Sequence, residues 1–317
     1  HQALNLERLR ADLFTGAFFA RKARDNEHRV PNSEDILRLQ GGMSIKDAVR
    51  AEANKLGERH QFFHWYAEFP DEMDQGGFHA VVGNPPWERV KLQEQEFFAA
   101  RSPEIANAQN ASKRKQAIQA LFKEDATAAQ KQLATAFRSA QREADGTSLF
   151  VHNSDRFPLT GQGDVNTYAL FAELFRTLKG QIGRAGLLAP TGIATDSSTK
   201  DFFGAIATGR ELVSLFDFEN SEPIFPGVHR SFKFCLLTLG SAVERAVFQF
   251  FATRVEHLQV PERRFTLTPE DFERINPNTK TCPVFRSNMD AELTKKIYQR
   301  VPVLVDERKG DDGNPWG

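Results

Sequence analysis

Cysteine is almost missing from this sequence. The two present, Cys235 and Cys282, are too few for a disulfide scaffold or a zinc site built from four cysteines. A reducing, cytoplasmic setting is the resulting expectation. Net charge is nearly missing as well: 41 Lys plus Arg stand against 42 Asp plus Glu. That balance gives no support to a protein wrapped all round in nucleic acid and leaves room for a local basic face. No stretch approaches the roughly 18 consecutive apolar residues of a membrane span, so no membrane partner is expected. The opening His1-Gln2-Ala3-Leu4 has no basic segment leading into an apolar one, and no secretory signal is visible. Tyrosine occurs 3 times where phenylalanine occurs 28 times, which reads as a Phe-rich core. A start on His and a stop at Pro315-Trp316-Gly317 read as a piece of a longer polypeptide.

What is present is a patterned α/β chain. Leu4, Leu6, Leu9 and Leu13 recur near helical spacing, and Asn32-Ser33-Glu34-Asp35 reads as a helix start. Ser44-Ile45-Lys46-Asp47 reads as another, with its helix running to about Gly57. The aromatic stretch 62–69 reads as a short strand ended by Pro70. Gly76-Gly77 leads into Phe78–Gly83, whose Val81-Val82 centre predicts a buried parallel strand. Residues 91–145 are rich in Ala, Gln and Lys. Ile118, Leu121 and Phe122, then Leu133 and Phe137, fall at helical spacing and predict a helical hairpin. The basic triplet Lys113-Arg114-Lys115 within it reads as a solvated face. A helix is predicted over 166–179 with Gly180 as its cap, then a strand at 185–190, a helix near 198–208, and strands at 212–218, 232–239 and 246–253. Helices are predicted at 266–274 and 290–299. The sum is the second half of an α/β sheet ending in a hairpin-like pair.

The chemistry-bearing segment is Asn84-Pro85-Pro86-Trp87, directly after the strand expected at Ala80–Gly83. In open α/β sheets ligands bind beyond the carboxyl ends of strands. Two prolines stiffen the backbone and remove two N–H donors, leaving carbonyls free to act as acceptors. The Asn84 side-chain carbonyl is a second acceptor. Two converging acceptors suit an NH2 group with two hydrogens, and an aromatic just beyond can stack on the ring that carries it. A planar amino-substituted ring such as adenine fits this constellation.

Asn-Pro-Pro followed by an aromatic resembles the catalytic signature of amino-methyltransferases that use S-adenosylmethionine. The text around it, Phe62-Phe63-His64-Trp65 through Phe69-Pro70 and Gly76-Gly77-Phe78 to Trp87, resembles DNA adenine-N6 methyltransferases of restriction–modification and phage-defence systems. Asn166-Thr167-Tyr168 with Phe171 and Glu173, Gly186 to Gly192, and Phe225-Pro226-Gly227-Val228 before 232–239 resemble later parts of that family. The tail from Asn276 to Gly317 resembles its passage toward target recognition. His79 departs from an Asp common in the family. No Phe-x-Gly-x-Gly or Gly-x-Gly-x-x-Gly precedes Asn84, and Gly161-Gln162-Gly163 lies on the wrong side of the motif. The glycine-rich cofactor turn is therefore expected upstream of residue 1, and cofactor-binding residues are not assigned within this chain.

The resemblance implies the C-terminal half of a class I S-adenosylmethionine-dependent methyltransferase (Rossmann-like) α/β sheet, with a helical N-terminal segment at 1–61. The catalytic region is expected at 62–245 with a helical insert at 91–145, and the start of the target-recognition region at 246–317. It implies methyl transfer to the N6 amine of an adenine flipped out of double-stranded DNA, with S-adenosylmethionine as cofactor. Fused or separate restriction and specificity modules are the implied partners. Asn84, Pro85, Pro86 and Trp87 are the implied catalytic residues, with Trp87 and Phe225 stacking on the target base. No metal is needed for that chemistry. RNA bases or a protein glutamine amide remain open as acceptors, and so does a DNA-binding fragment without turnover. His60 and His64 have the spacing of a zinc pair, but Gln61 follows His60 where that motif has Glu, and the pair reads as structural. Cys235 reads as core, Asp196 as a helix cap, and Arg263-Arg264 as a solvated pair rather than a DNA-backbone contact.

Overall fold

The computed structural model describes residues 2–314. The ends of the expected fragment, His1 and Pro315-Trp316-Gly317, lie outside the described residues. Two compact units are present, residues 1–70 with 89–156, and residues 71–88 with 157–317. This division differs from the expected one. Residues 91–145 cluster with the N-terminal helices, and 246–317 continue the same unit as the sheet.

The first unit is helical: Gln2–Phe19, Ser33–Gln40, Asp47–His60, Ala111–Ala120 and Ala128–Asn153. Leu9, Leu13, Leu39, Ile45, Val49 and Ala53 form one buried cluster, as their helical spacing requires. Phe98, Ile105, Ile118, Leu121 and Phe137 form another, so the periodic positions of the insert do face inward together. Asn32 starts its helix with a reciprocal box: its Oδ1 accepts from the Glu34 and Asp35 amides while Asp35 Oδ2 accepts from the Asn32 amide. Three expectations fail here. The helix expected to end near Gly57 runs on to His60, and Lys46 rather than Ser44 precedes it without a side-chain cap. The insert's second helix runs to Asn153. Residues 62–69 are not a strand: Trp65–Glu68 is a helical turn, because the rings pack on one another at 5.0–5.6 Å instead of alternating across a sheet. No described helix is long and apolar enough to cross a membrane.

The second unit is a mixed six-stranded sheet, β1 (Phe78–Gly83), β2 (Lys179–Pro190), β3 (Leu212–Glu219), β4 (Lys233–Leu239), β5 (Ala246–Ala252) and β6 (Phe265–Leu267), in the order β1-β2-β4-β3-β5-β6. β1 with β2 and β3 with β5 pair in parallel; β4 lies antiparallel between β2 and β3, and β6 antiparallel to β5. The abundant phenylalanine does make the core. Phe202, Phe203, Phe248, Phe250 and Phe265 are fully buried, and Cys235 sits among the same residues. Burial pushes the Cys235 thiol well above its ordinary range, so it is inert packing.

The expected buried strand at 78–83 is parallel but stands at the sheet's edge, and Val82 is 82% exposed. Val82 is exposed while Val81 packs against the core cluster, and among the described residues no strand pairs with the outer edge of β1. Gly180 does not cap a helix. Lys179 passes straight from the helix Thr167–Leu178 into β2, which is longer than predicted. Gly77 is required beside it: its φ is +115°, and a β-carbon there would stand 2.5 Å from the Leu178 carbonyl oxygen. Asp196 does not cap with its side chain, which turns back over Gly192.

Candidate functional site

β1 ends at Gly83, and the four residues of interest follow at its carboxyl end. A β-carbon on Gly83 would lie 3.0 Å from the Phe175 ring, so the glycine lets the helix Thr167–Leu178 approach this strand end closely. Asn84 and Pro86 are exposed, Pro85 is buried and Trp87 is half-buried. The prolines thus anchor one residue inward and hold the Asn84 side chain outward.

Thr167 holds the loop. Its hydroxyl donates to the Pro86 carbonyl at 2.7 Å and accepts from the Glu88 amide at 3.0 Å. Its own amide donates to the Glu88 carbonyl at 2.8 Å. Three bonds from one residue therefore pin the loop to the start of the helix Thr167–Leu178. The expected role of this segment was only that of a following helix, and the threonine clamp was missed. A Thr at the first helical position normally reads as local turn chemistry; nothing in the spacing reveals a partner some 80 residues away.

Trp87 and Phe225 reach a shared aromatic floor. Trp87 packs against the cluster of Phe218, Phe234 and Ala252, and its indole N–H is buried without a hydrogen-bond partner. Phe218 and Phe234 stack at 5.3 Å, and Phe225 meets Phe234 edge-on at 5.2 Å while remaining 39% exposed. At that exposure Phe225 is not a plain core residue. Asn220 fixes its loop. This fully buried side chain accepts from the Phe225 amide at 3.0 Å and donates to the Phe225 and Val228 carbonyls at 3.1 and 2.9 Å. A buried amide using three of its four bonding positions on one loop leaves that loop little freedom.

Asp217 is 2% exposed near the end of β3. It accepts from the Thr191 hydroxyl and, at 3.0 Å, from the Phe251 amide. Burial raises its carboxyl above the usual carboxylate range, against the pull of those two hydrogen bonds. Around it the cations are largely committed. Lys233 pairs with Glu219 at 2.7 Å, and Arg254 pairs with Glu222. Arg263 donates to the Phe251 carbonyl and Arg264 to the Leu258 carbonyl, so the expected solvated pair is a loop tie.

Of the remaining sequence candidates, His60 and His64 belong to the helical unit. His64 binds Asp12 at 2.8 Å, and His60 stands 3.8 Å from Glu143, so each imidazole has its own carboxylate. Among the described residues no cluster of His, Cys, Asp and Glu is arranged to hold a metal ion. His79 is exposed on β1.

Comparison with known proteins gives two kinds of result. No curated protein matches. Solved structures do, at low similarity. The methyltransferase subunit of a type I restriction–modification system from Streptococcus thermophilus is 10% identical with a TM-score of 0.38, over 75% of this chain and 46% of that one. A modification subunit of a putative type I restriction enzyme from Vibrio vulnificus YJ016 is 11% identical with a TM-score of 0.34, over 82% of this chain and 69% of that one. The type IIG restriction endonuclease BpuSI is 13% identical with a TM-score of 0.33, over 92% of this chain and 31% of that one. The chain thus spans less than half the length of the Streptococcus subunit. Over residues 5–136, a stretch that contains β1 and Asn84–Trp87, the chain matches the family model of the Eco57I restriction-modification methylases.

Proposed function

We propose that this chain is the methyl-acceptor part of a DNA adenine-N6 methyltransferase from a restriction–modification system, on the C-terminal half of a class I methyltransferase sheet. The observation that carries the reading is the exposed Asn84 side chain at the carboxyl end of β1, on a loop stiffened by two prolines and pinned by Thr167. The family match across that loop supports it. Among the described residues no strand pairs with the outer edge of β1, as expected of one part of such a sheet.

In this reading the exocyclic amine of adenine is a weak nucleophile because its lone pair is delocalised into the ring. Asn84 Oδ1 and the Pro85 carbonyl accept its two hydrogens and favour a pyramidal nitrogen. Positioning and electrostatics supply the acceleration. The methyl donor, S-adenosylmethionine, contributes an electrophilic sulfonium methyl when bound. The glycine-rich turn that would cradle it does not occur in residues 1–83. The residues of this chain therefore fit the acceptor side of the reaction. The base must leave the duplex, at a cost of a few (roughly 2–5) kcal/mol that pocket contacts offset. Trp87 and Phe225, converging on Phe218 and Phe234, are the stacking pair.

The test is transfer of radiolabelled methyl from S-adenosylmethionine to adenine-containing duplex DNA by the intact reading frame that carries this chain. Transfer to RNA or to a glutamine-bearing protein instead would move the acceptor class. Cofactor binding without transfer to any of them would leave a non-catalytic binding module.

Two further outcomes follow. Trp87→Ala and Phe225→Ala should each weaken binding of duplex carrying a fluorescent purine at the target position by about 1–3 kcal/mol, with cofactor affinity unchanged. Equal loss of both affinities would argue against stacking. Thr167→Val removes the hydroxyl from Pro86 and Glu88 and should lower transfer about 10- to 100-fold through a displaced loop. Thr167→Ser should restore it; a serine variant as poor as valine would mean that packing, not the hydrogen bonds, holds the loop.

A further inference from the structure

A second cavity lies wholly within the helical unit, between the helices Gln2–Phe19 and Ala128–Asn153 and the segment from His60 to Ala67. Its volume is about 410 Å³, which falls in the range of small-molecule sites. Its walls are aromatic. Phe19 lies 4.6 Å from the His60 ring and 5.3 Å from Phe62, and His60 and Phe62 are nearly parallel at 5.8 Å. Phe63 and Tyr66 also line it, yet remain 55% and 62% exposed. Among the polar side chains of the lining are Thr147, two carboxylates, Glu7 and Glu143, one guanidinium, Arg156, and the imidazoles of His60 and His64. Glu7 is held by Arg10 at 2.6 Å. Glu143 is largely exposed and lies 3.8 Å from the His60 ring. Burial pushes that imidazole below its ordinary value, against the opposing pull of Glu143.

We propose that this cavity binds a planar, amino-substituted heteroaromatic ring that carries no phosphate, of the size and chemistry of a purine nucleoside. Phe19, His60 and Phe62 pack into one aromatic wall, and the exposed rings of Phe63 and Tyr66 offer π faces for a flat ligand to lie against. The carboxylate of Glu143 accepts from an amino group, and the two carboxylates of the lining outnumber its one guanidinium, which disfavours a phosphate. Nothing in the acceptor loop at Asn84 takes part, so this inference goes beyond the proposed function and stands without it.

The probe is 2-aminopurine riboside, whose emission falls when it stacks, titrated with this chain. Saturable quenching is expected, displaced by adenosine and at least about tenfold less well by adenosine monophosphate, because the phosphate meets the carboxylates. Thr147→Trp fills the cavity and should abolish quenching, with the circular dichroism spectrum unchanged. Glu143→Gln alters an exposed side chain that folding does not need and should weaken binding about tenfold. Asn84→Ala should leave the titration as it was. Absence of saturable quenching by the folded chain would overturn the proposal. So would monophosphate competing as well as adenosine, quenching that survives Thr147→Trp, or tighter binding of a single-stranded oligonucleotide carrying 2-aminopurine than of the free nucleoside.

Discussion

Asn84→Ala is expected to lower methyl transfer to adenine in DNA by about 10²- to 10³-fold, the cost typical of removing one pre-positioned group aimed at developing charge. The fold should not notice. Asn84 is exposed, lies beyond the last residue of β1, and its side-chain amide bonds to no protein group among the described residues. A polar side chain held outward by a buried proline, with nothing to bind inside the protein, gives the fold no reason to need it. Thermal unfolding of the variant should therefore overlay that of the parent. Asn84→Asp separates the acceptor role from a steric one. The aspartate keeps an acceptor oxygen in place but loses the amide donor and adds charge, so it should retain more transfer than alanine and less than asparagine. Near-normal turnover by Asn84→Ala would remove the methyltransferase assignment. A variant that lost both transfer and its folded spectrum would show that the residue is structural.

The local part of this architecture was legible because it is written locally. Asn32 and Asp35 meet across one helical turn, and the strand residues 212–219, 233–239 and 246–252 are short apolar runs between turns. Asn84–Trp87 could be found because its chemistry is contiguous. What escaped depends on pairing across the chain. The placement of β4 between β2 and β3 decides which loops meet, and no periodicity encodes it. The three-residue β6 is too short to carry a pattern. The aromatic run at 62–69 was misread because ring density suggests a strand, whereas here the rings stack along a helical turn. The sequence marks Thr167 only as part of a helix start and does not single out Asn220. Only their distant partners, the 86–88 loop and the Phe225 loop, turn them into clamps. A signal did exist for Asn220: a polar residue immediately after an apolar strand, followed by a proline-containing loop, is a place where a side chain can be drawn inward.

Asp217→Leu is expected to destabilise the sheet-bearing unit by about 2–4 kcal/mol, the cost of leaving two buried donors without acceptors. Leucine is close in size and apolar, so it removes the acceptors without leaving a large cavity. The donors are the Thr191 hydroxyl, beyond the end of β2, and the amide of Phe251 in β5. Phe251 has φ +60°, a left-handed conformation that costs a side chain other than glycine about 1–2 kcal/mol. The β3–β5 register shifts between Phe216 and Phe218, across this same point. The carboxylate thus bonds the amide that the irregular backbone turns inward, and without it the irregularity loses its partner. Asp217→Asn should lie within about 1 kcal/mol of the parent, because its oxygen can accept from Phe251 while its NH2 donates to the Thr191 oxygen. The pair also separates in pH. The native Asp217 carboxyl titrates above its unfolded value of 3.8. Its contribution to stability is therefore fully present below that value and is lost as pH rises through the native one, whereas the asparagine variant lacks that slope. Urea unfolding of this chain, repeated across the acid range, measures both effects. An unshifted midpoint for leucine would show that the irregular β3–β5 pairing holds by packing alone.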